Sequence, residues 1–374
     1  MKLQTHPAQI EWPPTPDGDY ARRALSPLLL NGSAVFVQNG HVRMGVLSDG
    51  QVVLPITFDP AWHDTFTVSP VTHLAHYAAQ ELHKLAPPAL DLAGQPLLKL
   101  LGLGLRRLGF ERTVYVNNWL LSTNLYPHLT PGQLRAATHT LLQAFPDRPL
   151  AWRSLDPARH ALLIGALEEL GYVRVPSRLV TYQDPREAAF WKRSQLRTDA
   201  SRTRVPVAEN VPHQAFTDDD LRAALGLYQQ LYLEKYSSYN PQFTLDFLRL
   251  ARDEQVLELH GLRLNGELKA VRGSVRRAGV LTTPLFGYDL SAPQREGWYR
   301  RLSLNVLQDA RREGLLVNAS SGVGAFKRAR GGVAVPEYTL VLAQHLPAPQ
   351  RHAWHTLAAL MEHLLLPLLI RHDL

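Results

Sequence analysis

Short apolar runs alternate with turn signals early in the chain. Residues 33–37, 42–47 and 51–57 are apolar and are separated by Asn39-Gly40 and Asp49-Gly50. Such dipeptides supply the positive φ of tight hairpin turns, so the spacing predicts a three-stranded meander. Residues 1–30 are Pro-rich and are expected to run over the surface. Residues 71–85 have helical spacing, and 113–121 form a β-rich run that enters the polar loop Ser122-Thr123-Asn124. Thr130-Pro131 supplies an N-cap and an N1 proline for a helix to about residue 145. A strand at 149–154, a helix at 157–170 and a strand at 172–182 follow.

Residues 184–210 read as a connector carrying a basic helix. A second run of elements then begins at Thr217, whose hydroxyl caps a helix with Asp218, Asp219 and Asp220 in its first turn. Residues 243–252 predict another helix. Strands at 256–264, 268–276 and 280–288 are divided by Asn265-Gly266 and Ala278-Gly279. An amphipathic helix over 298–312, a strand at 315–318, a Gly-rich stretch at 320–332 and a strand at 337–343 complete the series. Each half therefore has a meander, a helix, a strand, a helical segment and a strand. The expected domains are 1–183, a connector over 184–210, and 211–374.

The connector FWKRSQLRTDASRTRVPV, ending in Val205-Pro206-Val207, resembles the basic interdomain helix and small strand of Fem-type aminoacyl transferases. LYLEKYSSYNPQFT (231–244) resembles the first-helix end of some GNAT-like proteins. SSGVGAFKRARGG (320–332), followed by Glu337-Tyr338, is similar to the Gly…Phe-Lys…Gly-Gly signature near the end of the Fem-type second domain. The resemblance is to tandem GNAT-fold acyltransferases of the FemAB-like kind. It implies an α/β (α+β) fold of two tandem GNAT-like domains, each a mixed, mainly antiparallel sheet flanked by helices.

What the resemblance implies chemically is transfer of an acetyl, other acyl or aminoacyl group from a phosphate-bearing donor to an amine. The second half is expected to hold the donor, and a groove between the halves the acceptor. The donor turn is Gln294 to Tyr299, with Arg295, Gly297, Trp298, Arg300 and Arg301 as candidate cofactor residues. Acyl-CoA transferases of this fold usually carry more small residues there than this turn, with its one Gly and a Trp. Acetyl-CoA or another acyl-CoA is the expected co-substrate, with aminoacyl-tRNA as the alternative donor. A non-catalytic binding protein is the rival class. Phe326 and Lys327 are expected beside the transfer centre, where Lys327 would stabilise phosphate or oxyanion charge.

Tyr288 and Asp289 end the third strand of the second meander and are candidates for acid and base; an Asp that caps a turn is the alternative. Glu258 is a weaker base candidate. Lys235, Tyr236, Tyr239 and Asn240 are candidates for acceptor recognition or for a helix end with core tyrosines. Asn117, Asn118, Trp119, Asn124 and Tyr126 are unusually polar for a β-rich run. They either line a ligand groove or satisfy one another.

The chain has 374 residues, 40 basic against 33 acidic, and no cysteine. That composition excludes disulfide scaffolds, thiolate metal sites and cysteine nucleophiles. Of the 40 basic residues 7 are Lys, leaving 33 Arg, and the Arg fork suits phosphates. His73, His76 and His83 share a helix face without a converging further ligand, so no metal is expected. No RNP-like motif or zinc finger supports a nucleic-acid module. Residues 1–16 have no apolar core of a signal peptide, so a cytoplasmic protein is expected. Residues 353–370 are apolar but carry His355, Glu362, His363 and Pro367. They are expected to pack as a C-terminal helix, with a membrane-surface or partner-docking helix as the alternative.

Overall fold

The computed structural model describes residues 1–85, 88–203 and 208–372. The Val205–Val207 strand of the connector lies outside them. The chain divides into two compact units, and both are discontinuous. Unit 1 comprises 1–177, 236–244 and 338–366; unit 2 comprises 178–235, 245–337 and 367–374. These bounds differ from the expected ones at 183 and 211. Residues 236–244 leave the helix they follow in sequence, because Tyr239 O accepts hydrogen bonds from Phe66 N at 3.0 Å and Thr65 Oγ1 at 2.9 Å.

Unit 1 begins with β1 (Lys2–Gln4) and α1 (Pro16–Asn31). Within the Pro-rich stretch expected to run over the surface, residues 16–31 are a helix. Pro16 sits at its first position, where no N–H is required, and the Thr15 hydroxyl accepts from Gly18 N at 3.1 Å. β2 (Arg43–Ser48) and β3 (Val53–Phe58) form the expected hairpin. Residues 33–35 form a 3-10 turn in place of a strand, and β1 pairs with β2 instead. The Ser33 hydroxyl holds that turn by donating to Gly40 O and Val42 O at 2.5 and 2.9 Å.

A π-helical segment (Thr72–Tyr77) leads into α2 (Ala78–Leu85), then α3 (Pro88–Arg107). β4 (Val114–Val116), α4 (Pro131–Ala144), β5 (Leu150–Leu155) and α5 (Pro157–Glu169) follow. β6 (Val173–Gln183) runs from unit 1 into unit 2. The sheet of unit 1 has the order β1-β2-β3-β4-β5, and residues 338–342 pair on its β5 edge. Only β4 and β5 are parallel in that order.

Unit 2 contains α6 (Ser194–Thr203), β7 (Glu209–Val211), α7 (Asp218–Tyr228) and α8 (Leu245–Asp253). The strands β8 (Glu258–Leu264), β9 (Glu267–Arg277) and β10 (Val280–Tyr288) form the second meander. α9 (Trp298–Arg312), β11 (Leu316–Asn318), α10 (Gly324–Arg328) and β12 (Val333–Leu342) complete it, β12 ending in unit 1. The order is β6-β11-β10-β9-β8-β7, antiparallel except for the β10–β11 pair. Trp298, Leu302, Phe286, Ala270, Leu262 and Leu231 make one apolar cluster between helix and sheet.

The chain closes with α11 (Ala348–Leu360), a π-helical turn and α12 (Leu366–His372). Trp354 is the anchor. It stacks on Phe110 at 3.9 Å between ring centres and joins Val71, Leu105, Tyr115 and Val341 in the core of unit 1. Past that anchor the expected packed helix is largely exposed. Ala348–Arg371 is long and apolar enough to cross a membrane by length and composition, and only 17% of its most apolar window is buried.

Glu111 shows what burial does in unit 1. Its carboxylate accepts from Ser69 Oγ at 2.9 and 2.8 Å, and burial lifts it to about 7. A folded-state value above the unfolded one stabilises the fold at low pH, and that contribution is lost as pH rises through 7. Urea melts between pH 4.5 and 8 should show a decline that Glu111→Gln flattens. Trp354→Ala should cost about 3–5 kcal/mol in the same melts, because it opens a cavity beneath Phe110.

Candidate functional site

In each unit one pair of strands is parallel, and in each that pairing is brief. In unit 2, Val280, Leu281 and Thr282 pair with Leu316, Val317 and Asn318. β11 ends there, while β10 shifts register between Thr282 and Leu285 and continues to Tyr288 on β9. In unit 1, Val114, Tyr115 and Val116 pair with Leu150, Ala151 and Trp152, after which β4 ends. Strands that part expose backbone groups that need partners.

Unit 1 satisfies them from its own loop. Asn117 turns the chain with φ 54° and donates from Nδ2 to Leu125 O at 3.1 Å. Asn118 Nδ2 donates to Thr57 Oγ1 and Thr67 O at 2.8 and 2.9 Å. Asn124 Oδ1 accepts from Trp119 N, and Trp119 Nε1 donates to Asn117 Oδ1. Tyr126 donates to Arg153 O. These residues, read as possible groove lining, are mostly buried and largely hydrogen-bond to one another and to the backbone.

Unit 2 treats its parting differently. Lys327 is buried, and Nζ donates to the carbonyls of Ala319, Ser320 and Ser321 at 2.6, 3.1 and 2.8 Å. The expected charge donor to phosphate or oxyanion is thus the clamp of the turn after β11. Burial, with the nearby Arg178, lowers its pKa to about 7. The turn needs a clamp because Ser320, Gly322 and Val323 all have positive φ. The paired glycines of the motif have steric reasons. A Cβ on Gly332 would lie 2.5 Å from Thr181 and one on Gly331 would lie 2.7 Å from Arg193.

Phe326 lies on the other side of the same short helix. Its ring meets Tyr299 at 4.8 Å, and the Arg330 guanidinium covers it at 3.4 Å. Tyr299 also meets Tyr288 at 5.8 Å and Phe286 at 5.4 Å. The structure therefore brings Phe326, Tyr299 and Tyr288 together beside the start of α9. Asp199 holds this group from below. It is buried, accepts from Arg330 Nε at 2.5 Å and lies 3.1 Å from Arg300 Nε. Sequence reasoning missed Tyr299, Arg330 and Asp199 as site residues. Arg330 stood inside the quoted motif, but Asp199 counted only as one acid in a basic connector.

α9 starts at Gly297, whose φ is 64°, and no side chain caps it. First-turn amides have no acceptor within a helix, so an uncapped start suits an anion. Trp298 turns into the core and is 3% exposed. Its bulk therefore leaves the front of the turn open, where the sequence suggested obstruction. Arg295 is exposed. Arg301 is turned back, donating to Glu296 O at 2.9 Å, and Arg300 faces Asp199. Of the three arginines Arg295 is exposed, and Arg300 and Arg301 are half-buried.

Asp289 accepts from Ser291 Oγ and N at 2.5 and 2.9 Å and from Lys269 Nζ at 3.1 Å. Those hydrogen bonds hold its pKa below the usual carboxylate range, so it caps a turn and makes a weak base. Glu258 pairs with Arg276. Lys235 and Tyr236 are exposed, whereas Asn240 is buried and donates to Ser237 O at 3.0 Å. Tyr239 stacks on His76 at 5.7 Å, in unit 1. Lys235 belongs to unit 2, so the expected cluster of four is divided. Among the described residues no group of three His, Asp or Glu is placed to hold a metal.

A meander, a helix, a briefly paired parallel strand and a final strand, present twice, define a tandem GNAT-like fold. Comparison with solved structures agrees. FemX has 9% identity and a TM-score of 0.52, covering 92% of this chain and 98% of that one. L-PGS from Bacillus licheniformis has 14% identity and a TM-score of 0.51, with the same coverages. A domain assigned as the C-terminal part of a lysylphosphatidylglycerol synthetase from Agrobacterium fabrum has 13% identity and a TM-score of 0.50, covering 93% and 92%. No protein-family profile matches the sequence, and no curated protein does.

Lys327→Met should take the ammonium from the Ala319, Ser320 and Ser321 carbonyls, of which Ser320 O keeps the Thr181 N–H, and cost about 2–4 kcal/mol in urea melts. Lys327→Arg should recover little, because the planar fork does not fit three converging carbonyls.

Proposed function

We propose that the chain is a transferase that moves an acyl group from a phosphate-bearing donor to an amine, with the donor held by unit 2 at the start of α9. The observation that carries this reading is the uncapped helix start at Gly297, beside the aromatic group Tyr299, Phe326 and Tyr288 where β10 and β11 part. Phosphates suit the first-turn amides and the Arg295 fork. Acyl-CoA is the donor favoured by this turn, because its pyrophosphate is compact enough for one helix end.

The amine nitrogen attacks the acyl carbonyl carbon. A C–N bond forms, the bond from that carbon to the donor's sulfur or oxygen breaks, and the proton lost by nitrogen ends on the leaving atom. Direct transfer needs no nucleophile from the protein, in keeping with a chain that has no cysteine. Phe326, fixed by Arg330 and Asp199, forms the wall against which the acyl group packs.

A second reading has its own support. The likeness to a domain assigned to a lysylphosphatidylglycerol synthetase spans nearly the whole chain, and that name denotes transfer of an aminoacyl group. On this reading aminoacyl-tRNA is the donor. A non-catalytic binding protein is what a bound donor without transfer would mean.

The test measures melting temperature with CoA, acetyl-CoA and lysyl-tRNA, and then release of free thiol or of labelled lysine in the presence of an amine panel. CoA at about a hundred times its Kd should raise the melting point by roughly 5 °C or more. Arg295→Ala should weaken CoA binding about tenfold. A response to lysyl-tRNA with none to CoA moves the proposal to the second reading; no response to either sinks both.

A further inference from the structure

α3 is seated in unit 1 by its smallest residues. A Cβ on Gly94 would lie 2.3 Å from Leu82, and one on Gly102 would lie 3.3 Å from Ala75. That close approach fixes which face points inward. The opposite face is then turned out with its leucines: Leu92 is 78% exposed, Leu97 67% and Leu100 65%. At 3.6 residues per turn these positions lie on one broad stripe with Leu103, which is also exposed. Large side chains in a row on a soluble surface mark an interaction site.

The surroundings of the stripe are basic. Lys99 interrupts it, and Arg106 and Arg107 close its C-terminal end, all three exposed. Asp91, the acid of this helix, is engaged by His83 at 2.7 Å and Gln95 at 2.6 Å. Trp62 lies beneath the Arg106 guanidinium at 4.2 Å and is itself 36% exposed. A leucine face, a cationic end and a half-exposed indole are the three components of a helix that lies flat in a lipid interface. A second copy of this chain fits poorly. A two-fold contact would set Lys99, Arg106 and Arg107 against their own copies.

We infer that α3 docks unit 1 on an anionic bilayer surface, with Leu92, Leu97, Leu100 and Leu103 entering the interface and Lys99, Arg106 and Arg107 facing lipid phosphate. The inference is independent of the proposed transfer reaction and of its donor.

Co-sedimentation of the full chain with phosphatidylcholine vesicles, with and without phosphatidylglycerol, tests it. Binding is expected only to the anionic vesicles and should weaken as salt is raised. Leu97→Asn with Leu100→Asn should lower the partition coefficient by about tenfold or more. Both sites are exposed, so the melting temperature should stay unchanged, and that measurement separates lost docking from lost folding. Absence of binding to any vesicle overturns the inference, as does equal binding by the double variant. Light scattering in which the parent is dimeric and the double variant monomeric would instead assign the face to a second copy.

Discussion

Two strands that run parallel and then part leave backbone groups facing each other across a gap, and every such group needs a partner. This constraint arises once in each unit, and the two responses explain most of what differs between them. Unit 1 fills its gap with a loop whose asparagines act as backbone substitutes, Asn117 and Asn118 donating to carbonyls and a hydroxyl of the loop and its neighbours. Unit 2 holds the turn after β11 with one ammonium on three carbonyls. Beside that turn Phe326 meets Tyr299, an aromatic wall next to an uncapped helix start. A candidate site therefore exists in one unit, although both share an element order.

The same constraint governs how the arginines are used. Composition alone suggests that 33 arginines serve phosphate. Several are instead internal. Arg272 is buried beside Asp309, Arg330 on Asp199, and Arg178 pairs with Glu337 at 2.8 Å. A buried guanidinium is tolerated only when a carboxylate and further acceptors surround it. These pairs tie α9 to β9, the loop after α10 to α6, and β6 to β12, and the surplus left for ligands narrows to residues such as Arg295. Arg330 shows both duties at once, since its fork neutralises Asp199 while its plane fixes Phe326.

The elements legible in the sequence were those with strong local signals. Thr130-Pro131, Asp156-Pro157 and Thr217 with its three aspartates started helices where their caps required, and Asn265-Gly266 turned a hairpin. α1 escaped notice because its Pro16 reads as a breaker unless the helix start is already known. α3 escaped because Pro96 and three glycines weaken a helical pattern, and two of the glycines, Gly94 and Gly102, make sense only once the packing against Leu82 and Ala75 is seen. The Phe326-Lys327 pair was legible as a feature but not in its division of labour. Adjacent residues on a helix point about 100° apart, and which one meets α9 depends on the turn after β11.

The sequence by itself determined the order of elements, the doubling of that order and the fold it resembles, because caps, turns and hydrophobic periods act over a few residues. The tertiary structure decided which residues share a site. Asp199, Tyr299, Phe326 and Arg330 are separated along the chain by as many as 131 positions, and nothing local links them. It also decided the unit boundaries, since residues 236–244 are held by hydrogen bonds to residues 65 and 66. Partner choice for buried charge is a property of the packed interior, where a carboxylate takes whichever guanidinium the fold brings within reach.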